Sequence, residues 1–519
     1  MLRRVALLLG AWLACAGPLA AIELSPAEVA GQRLFQEGLS ASGDDITARV
    51  GPAGMLLSAS AVPCAGCHGN DGRGRPEGGT QPPDITWQRL TTPYGQTLAN
   101  GRSYPAYDAA SFGRAVDEGV DPGGNPLDPA MPRFVLSQVD RNNLIAYLKR
   151  LEELRDPGVE ASTLRIGTLL PSDGPLAAMA RTVKGVLDGG IEAINEAGGI
   201  HGRRLQLLVV DPGADRESAE QALRGLLDDD RVFALIAPLA PALGDGLAPV
   251  LEERKVPLLG GLSMFGGLAD SPMIFEPLPG VREQLLVLGN FASADLMRYG
   301  GDALVAYPLG NPQESLAKNL AGRLRGQGWS NVRLQGYQPG EPTDELAQAA
   351  SESVFFLGNG TDFSALAESF RAAGQTPYLF AASTQVASAL GRLPERFNGH
   401  LYLAYPFLPD DWTADGAAAL QTIRQRSGLD SRYAVMQVAS YCSLLLLSEG
   451  LKRAGRELSR EKLVRALEGL QGIDTGLTPQ LGFGPGQRVG LEGAHVVEVD
   501  LAEQRFRPVG PLMKLDTPY

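Results

Sequence analysis

The chain has 519 residues, 44% hydrophobic and 20% charged, with a formal charge of −13. That length exceeds one ordinary hydrophobic core, so two or three domains are expected. The acidic balance excludes nucleic acid as a natural partner, because phosphate binding requires concentrated Lys and Arg, and makes a basic protein surface the electrostatic complement.

The N-terminus, MLRRVALLLGAWLACAGPLAAIELSP, carries Arg3 and Arg4 ahead of an apolar run over residues 5–13, with small residues at Ala20 and Ala21. This is the pattern of a secretory signal peptide, here residues 1–21, and it predicts export to the periplasm. Trp12 stands where a lipoprotein signal prefers Leu, which argues against a lipid anchor on Cys15. No later stretch approaches about 18 uninterrupted apolar residues, so no transmembrane segment is expected. The first predicted helix, PAEVAGQRLFQEGL, places Val29, Leu34 and Phe35 on one apolar face.

Next comes VPCAGCHGNDGRG, residues 62–74. The chain holds only four cysteines and four histidines, yet Cys64, Cys67 and His68 fall within five positions. C-x-x-C-H is the attachment signature of c-type haem. Two thiols at this spacing reach the two vinyl groups of one porphyrin edge, and the adjacent histidine falls beneath the iron as axial ligand. A structural zinc site would need four ligands, but Cys442, His201, His400 and His495 are scattered singly through the rest of the chain. A thioredoxin-like motif would want a strand–helix–strand context, whereas this one opens into a Gly-rich loop. One covalently attached haem c is therefore the expected cofactor. Cys442 sits in a long apolar segment at helical spacing and reads as a core thiol. The three lone histidines read as surface or strand-end residues.

Downstream, GGNPLDPAMPRF supplies Met131, between Ala130 and Pro132, as the second axial ligand. A helix follows, with Ser137 and Asp140 in a capping pattern and Leu144, Ile145, Leu148 and Leu151 on one face. In this order of elements, residues 26–154 resemble a class I cytochrome c domain, which implies a small all-α fold. The departure is residues 36–63, a longer gap between first helix and haem motif than the family usually has. It is expected to cover a haem edge or to form a docking loop. Imidazole plus thioether leaves no open iron position and favours electron transfer over oxygen chemistry.

Residues 155–162 carry Pro157 and Gly158 without periodicity and read as a linker. Beyond them strands and helices alternate: LRIGTLLP, LQLLVVD, VFALIAP and VPLLGG, then ALVAYP, SVFFLGN and YLFAAS. Such alternation implies parallel sheets with helices on both faces, here in two lobes. The opening LRIGTLLPSDGPLAAMARTVKGVLDGGIEAINEAGGIHGRRLQLLVVD and the close SREKLVRALEGLQGIDTGLTPQLGFGPGQRVG resemble a type I periplasmic binding protein of the branched-chain amino-acid (leucine/isoleucine/valine) kind, over residues 163–510. The resemblance implies three crossings between lobes, expected near EPLPGVRE, PFLPDDW and LQGIDTG, and a small-molecule ligand in the cleft at the strands' carboxyl ends. Ser172, Asp173, Ser263, Tyr307, Asn359 and Ser383 are the candidate lining residues. The third loop, APLAPALGDG, lacks the hydroxyls that amino-acid binders of this family use. The multidomain reading is thus an exported electron carrier with a redox partner protein and a ligand-recognition or docking domain. Two further readings stay open: a solute receptor of an ABC importer with an accessory haem, and a haem-linked ligand sensor. Neither domain offers a nucleophile–base or open-metal constellation, so no enzymatic activity is expected.

Overall fold

In the computed structural model, Ser25 starts the first helix, Pro26–Glu37, with a reciprocal cap: its hydroxyl accepts from Glu28 N–H and Glu28 Oε2 accepts from Ser25 N–H at 2.7 Å. The structure describes residues 24–515 except 75–81, 99–100, 152–153, 155, 261–270, 297–300, 311–312, 342 and 350. The signal-peptide segment lies outside the described residues. The chain divides into two units, residues 1–155 and 156–519.

In the first unit the N-terminal helix crosses the C-terminal helix Gln138–Arg150. The crossing uses Gly31, Leu34 and Phe35; a Cβ at Gly31 would lie 2.0 Å from the Asn143 carbonyl oxygen. Val29 is not on this face, being 43% exposed. Two residues from Gly31 is about 200° around a helix, so the faces at 29 and 31 point apart. Ser137 caps the second helix by accepting from Asp140 N–H, and Leu144, Ile145 and Leu148 are buried as expected, joined by Tyr147, whose ring lies 5.5 Å from that of Phe35 at a 53° tilt. The segment 36–63 adds strands to this helical frame. Thr47–Val50 and Met55–Ser58 form an antiparallel hairpin, and Thr47–Val50 also pairs antiparallel with Arg133–Phe134.

The second unit has two lobes. The first lobe's sheet is parallel, in the order Ile274–Phe275, Leu258–Leu259, Ala234–Ile236, Thr163–Leu169, Arg204–Val210. The second runs Asn331–Tyr337, Asp302–Pro308, Ser353–Phe356, Tyr378–Ala382, Leu401–Tyr405, all parallel, and is extended by antiparallel Gly493–Asp500 and Arg505–Pro508. The cores show where the chain crosses. Leu278 belongs to the first lobe's core and Val281 to the second's; Ala404 lies in the second and Phe407 in the first. These crossings fall within the expected segments. The third comes later than LQGIDTG: Leu470, Leu477, Leu481, Phe483 and Leu491 are all in the first core, and Ala494 is the first residue in the second. Apolar residues recur through that segment without a regular period, and the Ile473–Leu481 bridge helps to hold it with the first lobe.

Residues 156–162 are built into this unit. Val159 is buried in the first core, and the Asp156 carboxylate accepts from Arg460 N–H at 2.6 Å. The buried Arg460 guanidinium donates to the carbonyls of Val232, Phe233 and Arg254 at 2.8–3.0 Å. Among the described residues one helix, Ala434–Ala454, is long and apolar enough to cross a bilayer, and 67% of its most apolar window is buried in the protein. It packs on Ala177–Glu196 and Arg460–Glu468 and carries Cys442, whose fully buried thiol has its pKa pushed up to about 12.

Candidate functional site

Pro63 opens a five-residue helix, Cys64–His68, which ends at Gly69. One helical turn places Cys64 and Cys67 on the same side, three residues apart. Both are free thiols; Cys67 is exposed, while Cys64 packs against the apolar core. Burial pushes the Cys64 pKa up to about 12, so this sulfur is a protonated thiol rather than a thiolate. Cys64 also lines a cavity with Leu34, Ala59, Val116, Phe134 and Leu144.

His68 is 6% exposed, and its Nδ1 lies 3.0 Å from the Pro83 carbonyl oxygen. A carbonyl can only accept, so Nδ1 carries the proton and Nε2 keeps its lone pair, the form that ligates a metal. Burial lowers the imidazole pKa, opposed by the Pro83 bond and by Asp84, and this favours the neutral ring. The Gly-rich tail of the motif makes the contact possible. Gly74 N–H donates to the His68 carbonyl at 2.8 Å, with Gly74 at φ 92°, and a Cβ there would sit 2.0 Å from the Pro82 carbonyl oxygen. Ile85 N–H donates to the Gly72 carbonyl, and Asp84 accepts from both Thr86 N–H and Thr86 Oγ1, so the chain directly after Pro83 is held in place.

Met131 is half-buried on the rim of the same apolar core that Cys64 borders. Its loop is a turn: Asp128 Oδ1 accepts from Ala130 N–H at 2.8 Å, and the Asp128 carbonyl from Met131 N–H at 3.0 Å. The Arg133 guanidinium donates to the carbonyls of Met131, of Leu127 at 2.9 Å and of Asp128 at 3.3 Å.

The donor set fits a covalently attached haem: two free thiols on one helical side, a neutral imidazole with its lone pair on Nε2, and a thioether on the rim of the shared apolar core. Among the described residues no cluster of three His, Cys, Asp or Glu could hold a bare metal ion.

In the second unit the candidates lie in separate local arrangements. Ser172 is exposed after the first strand, and its N–H and Oγ both donate to Asp211 Oδ2, the former at 2.8 Å. These bonds, the hydroxyl's foremost, lower the Asp211 pKa. Asp173 beside it is exposed. Tyr307 is half-buried on strand Asp302–Pro308. Asn359 caps Gly360–Ala372, accepting from Thr361 and Asp362 N–H and donating to Asp362 Oδ2. Ser383 is buried, its Oγ 3.4 Å from Gln284 Oε1. Ser263 lies outside the described residues. The lone histidines each meet a local oxygen: His201 that of Lys452, His400 that of Asn398, His495 that of Asp411.

The sequence profile described as "Periplasmic binding protein" matches residues 163–504. The chain belongs to the periplasmic binding protein family. A second profile, "Cytochrome c", matches residues 58–152, so the protein is a fusion of a cytochrome c domain with a binding-protein domain, and the cytochrome c domain implies covalently bound haem. Neither family is enzymatic. A branched-chain amino acid ABC transporter protein from Thermus thermophilus with bound valine superposes with a TM-score of 0.57 at 17% identity, covering 69% of this chain and 98% of that one. LivK, a leucine-binding protein from Thermotoga maritima, gives 0.55 at 17% over 68% and 99%. A fatty acid ABC transporter substrate-binding protein from Thermomonospora curvata gives 0.56 at 16% over 70% and 95%. These likenesses establish the fold. The substrate-binding protein BasB of a chemotactic signal transduction system in Halobacterium salinarum is 25% identical over 207 residues, 37% of this chain and 49% of that protein. The matched region is thus about half the length of that curated relative. The fold of the binding-protein domain suggests a small-molecule ligand in the cleft, and both families are typically periplasmic.

Two residues of the cytochrome domain carry weight that sequence reasoning missed. Pro83 acts through its main-chain carbonyl, for which the only signal is the Pro-Pro pair in TQPPDITW. Arg133 follows the Met-Pro pair directly and was legible only as a cation beside a candidate ligand.

Proposed function

We propose that this protein is a periplasmic electron carrier with a single haem, attached through Cys64 and Cys67 and ligated by His68 and Met131. Attachment adds each S–H across one vinyl double bond, so it is redox-neutral and needs thiols, which Cys64 and Cys67 present. When bound, the haem supplies one-electron redox chemistry. The protein's part is to fix the His68 tautomer through Pro83 and to hold Met131 on a stiff turn, so that both ligands are ready-made in either oxidation state. The binding-protein domain serves ligand recognition or the docking of a redox partner protein in the periplasm. The Nδ1–Pro83 hydrogen bond supports this reading, because it leaves Nε2 as the lone-pair nitrogen on the residue that follows Cys67.

The test is an optical titration of the exported protein, oxidised and reduced. A low-spin spectrum with a sulfur-to-iron charge-transfer band, lost in Met131→Ala, supports the ligand pair. A high-spin spectrum, or one that Met131→Ala leaves unchanged, removes Met131 from the iron. The same titration with branched-chain amino acids and fatty acids in solution addresses the sensor reading, which requires a shift in potential on ligand binding.

A further inference from the structure

The segment that sets this cytochrome domain apart, residues 36–63, pairs with the chain just after Met131. Thr47–Val50 lies antiparallel to Arg133–Phe134, with Ala48 opposite Phe134 and Arg49 opposite Arg133. Two further main-chain bonds extend the seam on either side: Val135 N–H to the Thr47 carbonyl at 3.1 Å, and Gly51 N–H to the Pro129 carbonyl at 3.2 Å. The Met131 turn is therefore bracketed by hairpin contacts, one before it and several after it. Ala48 and Phe134 face the core and are buried, which sets the register; a slip by one residue would turn both outward.

Arg133 sits on the opposite face, half-buried, against Arg49. Like charges directly opposed in a sheet are unfavourable. The guanidinium turns instead to the Met131 loop, where it donates to the carbonyls of Leu127, Asp128 and Met131. Gly119 makes the room: its φ is 74°, and a Cβ there would lie 1.7 Å from Arg133 Nε.

We propose that Arg133 is a positioning residue for Met131, and that the inserted hairpin is the clamp that holds Arg133 in place. This rests on Met131 being an iron ligand. Three carbonyls gathered on one guanidinium close the ligand loop into a single unit, so the thioether cannot leave without breaking charge-assisted hydrogen bonds or the hairpin seam. The insertion's function is thus to slow ligand exchange at the methionine side.

The experiment uses the oxidised, haem-loaded full chain and imidazole as the entering ligand, with the charge-transfer band and the rate of its loss as readouts. Arg133→Leu should keep covalent haem but raise the rate of imidazole entry roughly tenfold to a hundredfold, the scale of one hydrogen bond to a charged group. Gly119→Ala, which displaces the guanidinium without removing it, should do the same. Arg133→Lys, a single-point donor, should recover only part of the protection. If Arg133→Leu and Gly119→Ala match the unaltered protein while Met131→Ala abolishes the band, the clamp is wrong and the ligand assignment stands. If the band is absent before any substitution, or survives Met131→Ala, both fall. Should the variants not accumulate, hydrogen exchange on the unaltered protein decides. Protection of the Gly51 and Val135 amides comparable to the helix Gln138–Arg150 supports the clamp, and exchange as fast as in exposed turns overturns it.

Discussion

The cytochrome and binding-protein domains treat their polar candidates in opposite ways. Around the haem motif, neighbouring groups satisfy the atoms that ligation does not need. The Pro83 carbonyl accepts from His68 Nδ1–H, and Arg133 donates to the carbonyls of the Met131 turn, so Nε2 and the thioether are left for other work. At the strand ends of the binding-protein domain the candidates' own side chains are already engaged by other protein groups. Asn359 is a helix cap, Ser172 holds Asp211, and Ser383 faces Gln284. A polar residue at the right end of a strand is therefore no measure of ligand contact until its local hydrogen bonds are counted.

The sharpest way to test this contrast is to remove the chemistry from one side only. Replacing Cys64 and Cys67 together by Ser should abolish covalent haem, read as loss of haem stain on a denaturing gel, while the thermal transition of the binding-protein domain stays where it was. The converse is Arg460→Ala, which orphans two buried carbonyls and one part-buried carbonyl and should destabilise the binding-protein domain by about 3 kcal/mol in urea unfolding, with the haem spectrum unmoved. Asn359→Ala should cost about 1 kcal/mol through its lost cap and leave calorimetric binding of a cleft ligand intact. Loss of binding at unchanged stability would break the comparison. The smallest effect belongs to Asp211→Asn. The exposed Asp211 has a lowered pKa in the folded state, so it stabilises above the usual carboxylate pKa and the contribution fades as pH falls through the lowered value. The expected loss is about 0.5 kcal/mol or less at neutral pH and nothing in strong acid, seen as converging urea midpoints.

What could be read from the chain follows the range of the physics involved. Cys64, Cys67 and His68 lie within one helical turn, and the strands of the binding-protein domain announce themselves through apolar runs, so the motif and the strands were legible. Pro83 was not, because a main-chain carbonyl has no residue-type signal. The hairpin over 47–58 was hidden because its pairing partner, Arg133–Phe134, is some eighty residues away and only two residues long. Val29 lies off the face of Leu34 and Phe35 because the crossing is centred on Gly31, whose role is to have no side chain. The third lobe crossing comes later than the sequence suggests, because the apolar residues at 477, 481 and 483 carry no helical or strand period, yet all join the first core.

That first core also dictates an order of events. Leu164 and Ile166, at its start, share it with Cys442, Leu451 and Phe483, and Phe275 meets Phe483 edge-on at 5.2 Å. Its contacts thus join segments some three hundred residues apart, the kind that form late. A chain delivered across a membrane N-terminus first has the whole of the cytochrome domain, through residue 154, on the far side while the binding-protein domain still lacks the helices that close its first lobe. On the proposed export route, haem attachment would thus come before the first lobe can close.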